Sequence, residues 1–126
     1  YSIKNVKFKG NNLSHDPQKY YILHDEIRKN PDLAIGGVTW GWLNAAFESI
    51  DILKKQDVIN RITTPILIMS AQKDAIVSSK AQGKISRKLS NCTFLSFKGA
   101  FHELLFEESG INSRLWEAFN RFISEK

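Results

Sequence analysis

The sequence has one cysteine, Cys92, and no long apolar run among its 126 residues. A single thiol cannot form an internal disulfide, and this composition fits a reducing compartment. No stretch approaches the roughly 18 apolar residues that a transmembrane helix needs. The start, YSIKNVKFKG, lacks the apolar region and the cleavage site of a signal peptide. We therefore expect one folded domain, or part of a larger one.

Motifs for metals, nucleotides and nucleic acids are also missing. The three histidines, His15, His24 and His102, show neither H-x₃-H nor H-E-x-x-H spacing, which predicts no metal site. There is no G-x-G-x-x-G motif and no P-loop, so we expect no cofactor. The net charge of +5 comes from scattered Lys and Arg. Without a basic stripe we expect no nucleic-acid binding, and at most a weak attraction to acidic membrane surfaces.

The first half of the chain has helical patterns. Ser14 and Asp16 are N-cap residue types, and Pro17 suits the first turn of a helix running to about Lys29. Thr39 is a plausible N-cap for a second helix that runs to about Lys55, with apolar residues at helical spacing. We predict a helical segment over residues 1–60.

The spacing of the apolar residues changes in the second half of the chain. TPILIMSA, residues 64–71, is a continuous apolar run after a proline, which indicates a buried parallel strand. Ser78 or Ser79 can cap a helix to about Leu89, and residues 93–99 are typical of a second strand. Helices are predicted near residues 103–108 and 112–124. Residues 61–126 thus form a βαβα unit, which makes the fold class α/β with parallel strands.

Two residues with catalytic potential follow the two predicted strands. Asp74 lies three residues past Ala71, and His102 lies three residues past Gly99. Ligands of open parallel sheets bind beyond the carboxyl ends of the strands. A carboxylate that accepts from imidazole Nδ1–H would leave Nε2 free as a base. Taken alone, Asp74 could equally be a turn former and His102 a surface or packing residue.

The loop that carries His102 has further features. Gly99 and Ala100 are small and allow a sharp bend of the backbone. Glu107 could hydrogen-bond nearby, but it is interpreted as a surface acid or as an acid of a helix's first turn.

These residues resemble a known family. KGAFHELLFEES, followed by Arg114, resembles the histidine loop of the lysophospholipase L2 group within the monoglyceride lipase-like hydrolases, the serine aminopeptidase S33 family. LSHDPQKY with GGVTWGWL resembles the cap region of that family, and TPILIMSAQKDAIV its acid-residue strand and loop. The resemblance covers nearly the whole chain. It implies the carboxyl-terminal portion of an α/β-hydrolase fold: a helical cap, then the βαβα unit.

The resemblance also implies a reaction and a location. A serine would attack the acyl ester of a lysophospholipid or monoacylglycerol, with His102 as general base and Asp74 orienting it. Candidates to line the acyl pocket are Tyr20, Trp40, Trp42 and Phe47, although these aromatics could instead be packing residues. The expected location is the bacterial cytoplasm or the inner face of the cell membrane.

One part of the family pattern is absent. No serine of this chain lies in a G-x-S-x-G nucleophile elbow. We therefore expect the nucleophile to lie upstream of this chain, the chain alone to be inactive, and its exposed sheet edge to drive self-association. A peptidase or small-ester hydrolase of the same fold stays an alternative, as does a non-catalytic interaction domain.

Overall fold

The computed structural model describes residues 7–124, except for the side chain of Leu23. The part of the predicted helical segment before residue 7 lies outside the described residues. In chain order the elements are α1 (Pro17–Lys29), a 3₁₀ turn (Pro31–Leu33), α2 (Trp40–Leu53), α3 (Gln56–Asn60), β1 (Ile66–Ala71), α4 (Ser79–Ser86), β2 (Cys92–Phe97), a 3₁₀ turn (Leu104–Phe106) and α5 (Ser109–Ser124).

The two strands form a parallel sheet, as the apolar run and the crossover helix predict. Their register runs from Ile66 opposite Cys92 to Ala71 opposite Phe97, and α4 is the connection between them. The core beneath the sheet consists of buried Ala71, Phe97, Ala100 and Leu115. This core fixes the carboxyl ends of both strands, where the loops carrying Asp74 and His102 begin.

Side-chain caps define where the helices begin. Asp16 Oδ1 accepts from the backbone N–H groups of Gln18 and Lys19 at the start of α1. Thr39 Oγ1 accepts from Trp42 N–H, and Ser78 Oγ accepts from Ala81 N–H. Each cap satisfies backbone donors that a helix leaves unpaired in its first turn.

Helix α2 forms where its pattern predicts but buries none of its fourteen residues. Trp40 is 87% exposed, and Trp42 and Phe47 are also exposed. The segment just before it is equally open, with Ile35 96% exposed. Large apolar side chains in water mark a surface that another surface could cover.

Four details of the predicted helices are different in the structure. Helix α4 ends at Ser86, three residues before its predicted end. The predicted second helix ends at Leu53, and a separate short helix, α3, follows it. The predicted helix at residues 103–108 is a single 3₁₀ turn. Helix α5 begins at Ser109, three residues before its predicted start.

Candidate active site

Asp74 and His102 meet at the carboxyl ends of the two strands. Asp74 Oδ2 lies 2.8 Å from His102 Nδ1. The Asp74 side chain is 3% exposed, whereas the His102 side chain is 29% exposed. The separation is that of a hydrogen bond between charged or polar partners. The structure thus brings together the two residues that were predicted to meet there.

Backbone bonds hold the two loops in this position. Lys73 N–H donates to the Ala100 carbonyl at 2.9 Å, and Gly99 N–H donates to Gln72 Oε1 at 3.0 Å. Gly99 has φ +79°, a left-handed conformation that side chains other than glycine rarely adopt. The sharp bend predicted at this glycine is therefore present, and it directs the chain from β2 into the His102 loop.

Asp74 also forms the turn that carries it. Its Oδ1 accepts from the N–H groups of Ile76, at 2.8 Å, and Val77, at 2.9 Å. Burial raises the pKa of Asp74, but the Val77 N–H, His102 and the Ile76 N–H together outweigh burial and lower it. Asp74 is therefore a turn former and the partner of His102 at once, with one oxygen for each role.

The orientation of His102 determines which of its atoms can react. With Nδ1 donating to the ionised Asp74, the neutral ring carries its lone pair on Nε2. An imidazole held in this way can accept a proton through Nε2, and Asp74 stabilises the cation that forms.

His102 lies at the edge of an apolar groove of about 420 Å³. The other lining residues are Met69, Glu103, Leu104, Leu105, Leu115, Trp116 and Phe119. None of these lining residues other than His102 was predicted to be part of a site. A signal was present, since Leu115, Trp116 and Phe119 lie on the broad apolar face of α5, but periodicity alone does not separate a groove from a core.

The four predicted pocket residues lie elsewhere. Tyr20 packs in an aromatic cluster with Phe8, Tyr21 and His24, at ring-centroid distances of 5.4, 5.5 and 4.5 Å. Trp40, Trp42 and Phe47 are exposed on α2. None of the four lines the groove beside His102. Their role in binding an acyl chain stays a prediction.

Glu107 is not the surface acid that its position predicted. Its side chain is fully buried, and its carboxylate accepts from His15 Nδ1 at 2.9 Å and from Phe101 N–H at 2.7 Å. Burial raises the pKa of Glu107, but the hydrogen bonds that its carboxylate accepts, first from Phe101 N–H and then from His15, together outweigh burial and lower it. The partner lies 92 residues away in the sequence, a distance over which local patterns carry no information.

Residues 7–124 contain neither a cluster of metal-binding side chains nor a helix that could span a membrane. Within residues 7–124, no three or more His, Cys, Asp or Glu side chains lie close enough together to hold a metal ion. No helix in that range is both long and apolar enough to cross a membrane.

A parallel sheet with an aspartate after one strand and a paired histidine after the next defines part of an α/β-hydrolase. Residues 2–109 match the model of the family described as serine aminopeptidase, S33. The chain belongs to this family.

Two known proteins are similar to the chain. Over 97 residues it is 34% identical to a Haemophilus influenzae protein named "Probable lysophospholipase L2", which covers 77% of this chain and 30% of that protein. Its fold matches that of a soluble variant of monoglyceride lipase from Saccharomyces cerevisiae, solved with a substrate analogue, with a TM-score of 0.69 and 13% identity. That match covers 97% of this chain and 42% of the lipase. The chain thus spans about a third of the curated relative that it matches.

Proposed function

We propose that this chain carries the acid and the general base of a serine ester hydrolase that acts on lysophospholipids or monoacylglycerols. The observation that carries the proposal is the 2.8 Å contact between Asp74 Oδ2 and His102 Nδ1 at the carboxyl ends of two parallel strands. Family membership and the names of the two relatives support it.

Each half of the proposed reaction has two proton transfers, and all of them pass through His102 Nε2. His102 Nε2 takes the proton of a serine hydroxyl as the serine oxygen attacks the ester carbonyl carbon. It then returns the proton to the departing alcohol oxygen as the acyl-enzyme forms. Water repeats the sequence and releases the fatty acid and the free serine. Asp74 keeps the ring oriented and stabilises the imidazolium.

We assign the serine to a segment outside this chain. None of the serines present has the flanking glycines of a nucleophile elbow. The 126-residue chain is therefore expected to be inactive alone, because loss of the nucleophile costs about six powers of ten in the rate of a serine hydrolase.

The groove beside His102 supports an apolar substrate. Leucine, tryptophan and phenylalanine side chains dominate its lining, and such a surface favours an acyl chain over a peptide backbone, whose polar groups need partners. We further propose that residues 1–60 form a cap whose aromatic residues Tyr20, Trp40, Trp42 and Phe47 contact the chain of the substrate. A peptidase is the second candidate, because of the description of the family itself.

A peripheral membrane location fits the exposed apolar surface at the start of α2 and in the segment just before it. Ile35, Val38 and Trp40 are exposed, and the chain carries a net charge of +5. Exposed apolar side chains together with a positive charge favour contact with anionic lipid. We propose a weak association with the inner face of the bacterial cell membrane, with the remainder of the protein in the cytoplasm.

The two-stranded sheet is also expected to pair with strands of another chain. Among the described residues β1 pairs only with β2, so each strand has an open edge. A two-stranded sheet with open apolar edges tends to pair with another chain. We expect the 126-residue chain to self-associate, with an average mass by sedimentation that rises with concentration. A mass of 14.4 kDa at every concentration would contradict this.

The function is tested with a fluorophosphonate probe, which labels activated serines, and with three substrates. We expect the longer protein that contains this chain to be labelled and to hydrolyse lysophosphatidylcholine or monoacylglycerol faster than an aminoacyl anilide. The 126-residue chain should not be labelled. Faster anilide cleavage would favour the peptidase, and an unlabelled longer protein would favour the non-catalytic domain.

A further inference from the structure

The buried carboxylate of Glu107 accepts hydrogen bonds from three separate parts of the chain. Its Oε1 accepts from Phe101 N–H at 2.7 Å and from the His15 ring at 2.9 Å. Its Oε2 accepts from His15 N–H and from Glu108 N–H, both at 3.2 Å. A buried carboxylate is stable only when such donors surround it. Both oxygens are therefore needed as acceptors.

We call residues 13–19 the strap. The strap forms hydrogen bonds, at several points around this carboxylate, with the His102 loop, residues 98–108 between β2 and α5. Ser14 Oγ donates to the Phe106 carbonyl, and Lys19 Nζ donates to the Glu107 carbonyl at 2.6 Å. Glu103 N–H donates to the Leu13 carbonyl at 2.8 Å. The lysine thus bonds to the backbone at residue 107, while the carboxylate faces His15 and backbone N–H groups.

The contacts around Glu107 fix Phe101, the residue directly before His102. Phe101 is held through its N–H by Glu107, and its ring stacks on the His15 ring with centroids 3.8 Å apart and planes 24° apart. The next residue, His102, is held through its ring by Asp74. His102 is therefore held on both sides: its backbone through Phe101 and its ring through Asp74.

We propose that Glu107 is a positioning residue for His102, held in place by His15 of the strap. The carboxylate fixes the Phe101 amide and with it the path of the backbone into His102, so that the ring reaches Asp74 in one orientation. The inference rests on the proposed function of His102 as the general base. A misplacement of about 1 Å in such a base can cost a hundredfold in rate.

Glu107→Gln is the discriminating variant. Glutamine is nearly the same size but has one acceptor oxygen and one NH₂ donor. It therefore loses either the bond from Phe101 N–H or the bonds from the His15 and Glu108 N–H groups, while the His15 ring lies within reach of both oxygens, at 2.9 and 3.1 Å. The matched control is Glu108→Gln, which makes the same chemical change at the exposed neighbouring side chain.

The first readout is the His102 ring in the 126-residue chain labelled with ¹⁵N-histidine, measured near pH 8.5. In the unmodified chain we expect mainly the Nδ1–H tautomer, because Asp74 accepts that proton. Glu107→Gln should change the ratio of the two tautomers by about threefold or more, as expected for coupled neighbours. Glu108→Gln should leave the ratio unchanged. An unchanged ratio in Glu107→Gln, with altered His15 signals, would overturn the proposal.

Two variants of His15 keep the test decisive if Glu107→Gln does not fold. His15→Asn keeps an N–H donor near the position of Nδ1, whereas His15→Phe keeps the stacking on Phe101 and removes the donor. We expect His15→Phe to shift the His102 tautomer ratio and His15→Asn to restore it. A shifted ratio in His15→Asn but not in His15→Phe would mean that the strap acts only by packing, and an unshifted ratio in both would mean that His15 does not hold Glu107 in place. Either result would contradict the proposal.

Kinetics of the longer protein separate this inference from the proposed function. Glu107→Gln should lower kcat by about 10- to 100-fold and change KM little. If His102→Ala retains activity, the proposed function is wrong, whatever the tautomer result. If His102→Ala abolishes activity but Glu107→Gln behaves like Glu108→Gln, only the positioning role is wrong.

Discussion

Two carboxylate–histidine pairs hold the His102 loop, and the loop supplies the histidine to one pair and the carboxylate to the other. In one pair the loop supplies the histidine, His102, and the turn after β1 supplies Asp74. In the other the loop supplies the carboxylate, Glu107, and the strap supplies His15. The N–O distances are 2.8 and 2.9 Å. Both carboxylates are buried and both imidazoles are about one-third exposed, so the contact alone does not distinguish the pairs.

The surroundings of the pairs do distinguish them. Asp74 takes its other hydrogen bonds from its own turn, at Ile76 and Val77, and its histidine borders an apolar groove. Glu107 accepts from His15, 92 residues away, and from the nearby N–H groups of Phe101 and Glu108. The ring of its histidine is stacked on Phe101. His15 also borders a groove, but mainly polar residues line it. The apolar lining and the position at the ends of the parallel strands therefore mark the His102 pair as the candidate for catalysis.

The largest expected difference between the pairs is in activity. In the longer protein His102→Ala should lower kcat by about 10⁴- to 10⁶-fold, as for bases of serine triads. His15→Ala should lower kcat by no more than about 100-fold, because it acts through position only. Hydrolysis of lysophosphatidylcholine measures both. Equal losses would show that the two histidines do not differ as their surroundings indicate.

In stability we expect the opposite order. Glu107→Ala leaves buried donors in three segments without a partner and should cost about 3–5 kcal/mol of unfolding free energy. Asp74→Ala should cost about 1–3 kcal/mol, since two of its bonds stay within one turn. Urea unfolding of the 126-residue chain followed by circular dichroism measures both values. A larger loss at Asp74 would contradict the assignment of the structural role to Glu107.

The smallest expected difference is in the pH dependence of stability. The pKa values of Asp74 and Glu107 are both lowered by folding. Their contributions are therefore present above about pH 4.5 and are lost as the pH falls through the folded-state values. Glu107→Gln removes one titrating group, so its unfolding free energy should fall less between pH 7 and pH 3. Urea midpoints across this range provide the measurement, and a steeper fall would contradict it.

Much of the fold was predictable because its signals are local. Asp16 and Pro17 mark the start of α1, which spans the predicted residues Pro17–Lys29. The apolar run of β1 and the change of period after it predict the parallel pair. The meeting of Asp74 and His102 follows from topology, because parallel strands end at the same edge of a sheet.

The remainder depends on contacts that are distant in sequence or on very short elements. Helix α3 has five residues, and Lys55, its N-cap, makes no side-chain cap bond, so neither periodicity nor capping predicts it. The burial of Glu107 depends on His15, and the groove depends on how α5 meets the 3₁₀ turn at Leu104–Phe106. The catalytic roles stay predictions that the proposed experiments test, and the cap at residues 1–60 stays a prediction.

The strap has a consequence for the order of folding. Its bonds to residues 103–107 close a loop of about 90 residues, which costs on the order of 4 kcal/mol in chain entropy. Such contacts form late, after the strands between them have paired. On a ribosome the strap must wait until residue 107 has emerged, so the surroundings of His102 would be among the last parts of this chain to take shape.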